Sequence, residues 1–391
     1  MDYDENDFYY NFNDGPYLIW GENPVDSVNI LWFSNYESET VLHYGASIYN
    51  LTILKFPEKT HFHRVELSGL ETNRTYYFRI PNFHEKFYNF STSPEGTFNF
   101  NFTVLGDTQN NGGLTSTEYP KVLSTMDQYQ YDFVVHTGDT CFSGSDFNSW
   151  HIFFDSMENQ RNLHPFLVSI GNHEYLNDPS ASYFRTFFPY DYLSSRGSFY
   201  SYSYSNAHFI ILDSFDKSYN PLGFEEKISS EQVDWLEQEL SENSEKWLFV
   251  ILHTPPLCTG SFNYNEALIN QLLPLFEQYR VDIVFSGHCH QYEAFFLDEN
   301  TSWGGTYYFV TGGGGGDLSY HIMNRETNPW KHIYHNASKE PYQYDDYTLN
   351  NQIYGELCHH FLQVEVKNKT LNLQVIRSNK SIIQEFMIKK L

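Results

Sequence analysis

Basic side chains are scarce in this sequence: 23 Lys and Arg stand against 49 Asp and Glu, for a formal net charge of −26. A polyanion approaching such a chain is repelled unless a bound metal or a local patch reverses the field, so binding of duplex nucleic acid is disfavoured as a main role. Drawing in a phosphorylated substrate against this charge requires cations held at the site. Cysteine is scarce as well. Cys141, Cys258, Cys289 and Cys358 are too few for a disulfide scaffold, and four cysteines admit three full pairings. No run of about 18 apolar residues occurs, which excludes a membrane-spanning helix. The N-terminal stretch MDYDENDFYYNFNDG has neither the basic flank nor the apolar core of a signal peptide, so a secreted protein would have lost its leader before this numbering begins. Internal repeats are absent too.

Aromatic residues, by contrast, are abundant. The chain has 34 Phe and 32 Tyr, and aromatics reach 19% while charged residues are 18%, a globular composition with ample material for a core. At 391 residues, two domains are expected. After an acidic segment, 1–16, residues 17–98 carry short alternating runs separated by turn residues, such as YLIWGE, SVNILWFS, ETVLHYG and TYYFRI, and predict an all-β sandwich. Within it, HRVELSGLETNRTYYFRIP resembles the end of a fibronectin type III domain. Sequons at Asn50, Asn73, Asn89, Asn101, Asn300, Asn336, Asn368 and Asn379 suit a secretory route, although Asn101 falls in a predicted core strand.

From residue 99 strands and helices alternate. NFTVLGD, YDFVVHTGD, PFLVSIGNHE, WLFVILHTPP and VDIVFSGHCH read as buried strands. STEYPKVLSTMDQYQ, DFNSWHIFFDSMENQ, SEQVDWLEQELSEN with a cap near Ser230, and 265–279 read as helices. This alternation predicts an α/β domain over 99–391, closed by C-terminal strands from FLQVEV onward. The five strands share one feature. Each ends in a polar side chain: Asp107, Asp139, Asn172 with His173, His253, and His288 with His290. A single Gly-Asp after an apolar run is equally well a turn, but five strand ends repeating the pattern gather metal-binding groups at one edge. Asp, Asp, Asn and three His form a mixed oxygen and nitrogen donor set suited to two divalent ions about 4 Å apart, with a carboxylate able to bridge them.

The order GD, GD, GNHE, H, GHxH resembles the calcineurin-like metallophosphoesterases, and with the β-rich segment in front it resembles the purple acid phosphatase branch. The resemblance implies an αββα sandwich. It makes Asp139 the bridging carboxylate, places Asp107 and His290 on one metal and Asn172, His253 and His288 on the other, and gives His173 contact with phosphate and protonation of the leaving alkoxide. It implies hydrolysis of small phosphomonoesters by attack of hydroxide in line with the leaving group, in a secreted or lumenal, lysosome- or vacuole-like compartment. A phosphodiesterase or nucleotide pyrophosphohydrolase is the alternative, and a non-catalytic secreted or cell-surface binding protein a second.

Two positions depart from the pattern. Purple acid phosphatases read GDxxY, whose Tyr binds ferric iron; here Phe142 stands in that place, which favours two divalent ions, Zn, Mn or Fe, over a ferric one. The first motif reads GDTQ, and Gln109 could offer its amide oxygen to a metal, its NH₂ to substrate, or a plain hydrogen bond. Ala294 replaces a basic residue of the family's GHxHxYER, while Tyr292 could line the pocket. His136, His151 and His164 read as packed or exposed, and His359 and His360 as surface or edge residues. SFNYNE after His253 reads as a specificity loop. The run TGGGGGD lacks P-loop spacing and reads as a flexible loop.

Overall fold

The computed structural model describes residues 13–81, 83, 86–109, 117–157, 163–190, 198–216, 225–260, 265–297, 304–319, 321–324, 328–334 and 352–390. The N-terminal third is built of β1 (Asp14–Trp20), β2 (Val28–Ser47), β3 (Asn50–Leu67), β4 (Thr75–Arg79) and β5 (Tyr88–Ser91). Next come β6 (Phe100–Leu105), α1 (Tyr119–Met126), β7 (Phe133–His136), α2 (Phe147–Met157) and β8 (Pro165–Val168), then the short helices α3 (Asn172–Tyr175) and α4 (Ser182–Phe187). The second half runs β9 (Tyr200–Tyr204), β10 (Ala207–Ile211), α5 (Ser230–Glu242), β11 (Trp247–Ile251), α6 (Glu266–Tyr279), β12 (Ile283–Ser286), β13 (Tyr292–Leu297) and β14 (Thr306–Thr311). A hairpin, β15 (His321–Asn324) and β16 (Asn328–Tyr334), precedes β17 (Gln352–Glu356), β18 (His360–Val366), β19 (Thr370–Arg377) and β20 (Ile382–Lys389).

Among the described residues these strands form two large mixed sheets. One has eleven strands in the order β20-β19-β18-β6-β7-β8-β1-β2-β4-β5 with β3 on β2; the other has seven, β17-β13-β14-β12-β11-β10-β9. The β6, β7 and β8 strands are parallel, as are β10, β11, β12 and β14.

Period-two side-chain alternation explains how the sheets face each other. On β11, Trp247, Phe249 and Ile251 join Phe102 and Phe133 of the larger sheet in one core, whereas Leu248 and Val250 point the other way and pack with Leu236 and Leu240 of α5 and Leu268, Leu272 and Phe276 of α6. Phe102 stacks on Phe133 with ring centroids 5.3 Å apart and meets Phe209 and Phe249 edge-on at 5.3 and 5.4 Å. On the outer side of the larger sheet lie α1 and α2. The result is the αββα sandwich the family resemblance implied.

Helix ends follow local chemistry. Ser229, one residue before the expected cap, accepts the Gln232 amide, and Asn265 accepts the Leu268 amide at 3.0 Å. The N-terminal region is strand-rich as expected, and its long β2 pairs with β1 through its first half and β4 through its second. Side chains of both halves, with Trp32, Leu42 and Phe78, meet in one apolar cluster. Its ladder does not stop at residue 98: β1 also pairs in parallel with β8, so both regions share one sheet.

Candidate metal centre

Side chains from five strand ends converge in the seam between the two sheets. They come from β6, β7 and β8 of one sheet and β11 and β12 of the other, not from one edge of a single sheet as the sequence pattern suggested. Two groups form. Asp139, His253 and His288 place ligand atoms within 4.8 Å of one another, and so do Asp107, Asp139 and His290; Asp139 belongs to both. Asn172 joins the first group, with Oδ1 at 3.1 Å from His253 Nε2 and 2.9 Å from His288 Nδ1.

Backbone conformation aims these groups. Asp107, Asp139 and His288 have φ values of 59°, 57° and 66°, a left-handed region that costs non-glycine residues energy and recurs at functional sites. Neighbouring glycines allow the close approach. A Cβ on Gly171 would lie 2.1 Å from Asp139 Oδ1, and one on Gly287 would lie 2.3 Å from Asp107 Oδ2. The Asp107 carboxylate accepts the His288 amide at 2.9 Å, tying the two sheets together through the backbone.

The donor set fits metal ions. His253 donates Nδ1–H to the Thr137 carbonyl at 2.9 Å, which turns the Nε2 lone pair toward the Asn172 oxygen and toward His288 Nδ1 at 3.2 Å. His290 likewise donates Nδ1–H to the Asp317 carbonyl and points Nε2 at Asp107 Oδ1, 3.3 Å away. Lone pairs thus face lone pairs in a buried space, an arrangement a cation resolves. Charge points the same way. Burial pushes the His253 imidazolium down, but the Asp139 and Asp107 carboxylates overcome this and push its pKa up to about 10. Burial opposes ionisation of Asp139, yet His253 and His173 hold its carboxyl below the usual range. The pocket calls for positive charge, which a metal supplies as well as a proton does.

Gln109 sits inside this group. Its amide nitrogen donates to Asp139 Oδ2 and lies near His290 Nε2, both at 3.1 Å, while the buried Oε1 has no hydrogen-bond partner among the described residues. His173 stands at the rim. It donates Nδ1–H to the Phe142 carbonyl at 2.5 Å, and its Nε2 is 4.0 Å from Asp139 Oδ2. The Phe142 ring lies beside the His173 ring, centroids 5.3 Å apart.

Glu174 was legible only as the last letter of GNHE. Fully buried, its carboxylate accepts the amides of Asp139, Thr140 and Gly171 at 3.0, 2.6 and 2.7 Å, and burial and Asp139 raise its pKa. It fixes the turn that carries Asp139. Glu226 was missed altogether. Its Oε1 is 3.6 Å from His288 Nε2, and no sequence spacing links the two.

Several expectations need correction. Tyr292 does not line the pocket; it is fully buried and donates to Gln384 Oε1 at 2.7 Å. His360 is not at the surface but wholly buried, bonded to the Cys358 carbonyl and Thr311. Nor is the glycine run loose. Gly314 and Gly316 are buried and donate to the carbonyls of Gly106 and Asp107 at 2.8 Å, clamping the first ligand turn. Of the two readings open for His136, packed or exposed, the first holds: it is fully buried and bonded to Thr108 at 3.1 Å. Residues 261–264 of the expected specificity loop, and Asn300 and Asn336, lie outside the described residues.

Comparison with known proteins identifies the class. The calcineurin-like phosphoesterase family matches residues 100–292, the span that carries all of these strand ends. Purple acid phosphatase 21 of Arabidopsis thaliana is 29% identical over 249 residues, 60% of this chain and 53% of its own length. Phosphoenolpyruvate phosphatase of Allium cepa is 29% identical over 263 residues, 60% of this chain and 50% of its own. The match thus spans about half the length of these curated relatives. The solved purple acid phosphatase PPD1 from yellow lupin seeds shares the fold, with a TM-score of 0.76 at 20% identity, covering 96% of this chain and 74% of that one. Residues 100–292 thus carry a match to the calcineurin-like phosphoesterase family, and the chain is similar to purple acid phosphatases.

Proposed function

We propose that this protein hydrolyses small phosphomonoesters at two divalent metal ions, Zn, Mn or Fe, held in the seam between its sheets. The observation that carries this reading is the sharing of Asp139 by two ligand groups. Asp107, Asp139 and His290 would hold one ion, and Asp139, Asn172, His253 and His288 the other. Two such ions lower the pKa of water and neutralise phosphate oxygens. His173 keeps Nδ1 engaged with the Phe142 carbonyl, so its partly exposed Nε2 is the atom that would hand a proton to the leaving alkoxide. Gln109 orients Asp139 through its amide nitrogen and leaves Oε1 for an ion or substrate. Glu174 holds the Asp139 turn so that the carboxylate need not reorganise.

A monoester is favoured because the Allium cepa relative is named for one. The exposed sequons Asn50, Asn73, Asn368 and Asn379 support a secreted or lumenal location. Asn101, half-buried on β6, pairs with Glu365 inside the sheet. The test is release of phosphate from an aryl monoester and from the matching bis-ester, with metals measured by elemental analysis. Full metal content with no hydrolysis of either ester would leave a binding protein instead.

A further inference from the structure

Two cysteines sit inside the ligand segments. Cys289 stands between His288 and His290, and Cys258 follows His253 by five positions. Both are fully buried and their Sγ atoms lie 2.6 Å apart. The other two cysteines lie elsewhere: Cys141 Sγ is 3.9 Å from a Glu174 oxygen, and Cys358 Sγ is 3.9 Å from His360 Nδ1.

The surroundings hold the two sulfurs together independently of any bond between them. Gly260 donates its amide to Cys258 Sγ at 3.2 Å, and Gln291 Nε2 approaches the same sulfur at 3.5 Å. The buried Glu293 carboxylate accepts the Thr259 amide at 3.1 Å, Gln291 at 2.7 Å and Gln352 at 2.7 Å. One carboxylate therefore anchors the segment after His253 to the segment after His290 and aligns their cysteines.

We propose that Cys258 and Cys289 form a disulfide that pins the His288–His290 segment to the segment following His253. Of the possible pairings, the packing selects this one and leaves Cys141 and Cys358 as thiols. Formation is a two-electron oxidation. The two thiols lose two protons and two electrons to a disulfide donor such as oxidised glutathione, which leaves as two thiols. An oxidising compartment sustains the bond. The cross-link closes the stretch containing α6 and β12, restricting the unfolded chain, and withdraws two soft sulfur donors from competition for ions beside them.

The test uses the full chain equilibrated with oxidised glutathione and alkylated while denatured. Peptide mapping should find Cys258 joined to Cys289, with Cys141 and Cys358 alkylated; prior reduction should bring all four into reach. Four alkylated thiols without reduction, or a link through Cys141 or Cys358, overturns the pairing. This count does not depend on metal, so its failure is separable from failure of the proposed hydrolysis. Pinning is read in the metal-stripped chain by amide exchange over residues 287–291, expected to be about tenfold slower oxidised than reduced. Equal rates overturn the pinning. The C258S/C289S variant should exchange at the reduced rate whatever the glutathione poise; a rate matching the oxidised chain also overturns it. Should that variant not fold, reduced wild type supplies the same comparison.

Discussion

The two sheets bring different chemistry to the seam. The eleven-stranded sheet presents oxygen donors, Asp107, Asp139 and Asn172; the seven-stranded sheet presents nitrogen donors, His253, His288 and His290. Neither sheet alone offers a complete donor set. The site therefore depends on the sheets being stacked in register, and that register is set by ring packing of Phe102 and Phe133 on Phe209, Phe249 and Phe285. Ions bound there would in turn fasten one sheet to the other.

Breaking the oxygen side at its shared member should have the largest effect. Asp139→Asn should remove both ions and lower phosphate release beyond the roughly 10²–10⁴-fold that loss of one proton-transfer group costs. Retained turnover would mean Asp139 bridges nothing. On the nitrogen side, His253→Ala should strip one ion and leave the other with Asp107, Asp139 and His290. Elemental analysis should then fall from about two ions to one per chain. Glu174→Gln tests support rather than ligation: metal affinity should drop about 10- to 100-fold, with the donor atoms themselves intact, in a competition titration with a chelator.

A buried histidine outside the ligand groups adds a pH dependence of its own. His360, on β18 of the oxygen-donor sheet, is pushed down by burial to about 4. Below about pH 6.5 the unfolded chain takes up a proton that the folded chain refuses. Its contribution is present above the unfolded value and is lost as pH falls from about 6.5 to 4, at most about 3 kcal/mol. Denaturant unfolding of the metal-free protein at several pH values should show this decline, and His360→Gln should make it shallower. The smallest expected effect is optical. Iron-loaded Phe142→Tyr should gain a visible charge-transfer band if the new phenol reaches an oxidised iron, and no band would place position 142 off the metal.

Strand ends were the most legible part of the sequence, because a buried parallel strand is a bare apolar run and the polar residue that ends it stands out. The motif letters then fixed which residues meet. What the letters could not carry was pairing over long distance. Nothing local to Glu226 announces His288, nothing in TGGGGGD announces the carbonyls of Gly106 and Asp107, and His360 looks exposed until β18 is seen paired with both β6 and β19. Tyr292 was misplaced for the same reason, since its partner Gln384 is far along the chain.

The pairing of β1 with β8 bears on how this protein can be cut. A fragment beginning at residue 99 would keep every candidate ligand, yet it would strip β8 of its outer neighbour. The bared strand leads directly into Ile170, Gly171 and Asn172. An unprotected edge of this kind recruits other chains, so the shortened protein should aggregate before its chemistry can be measured.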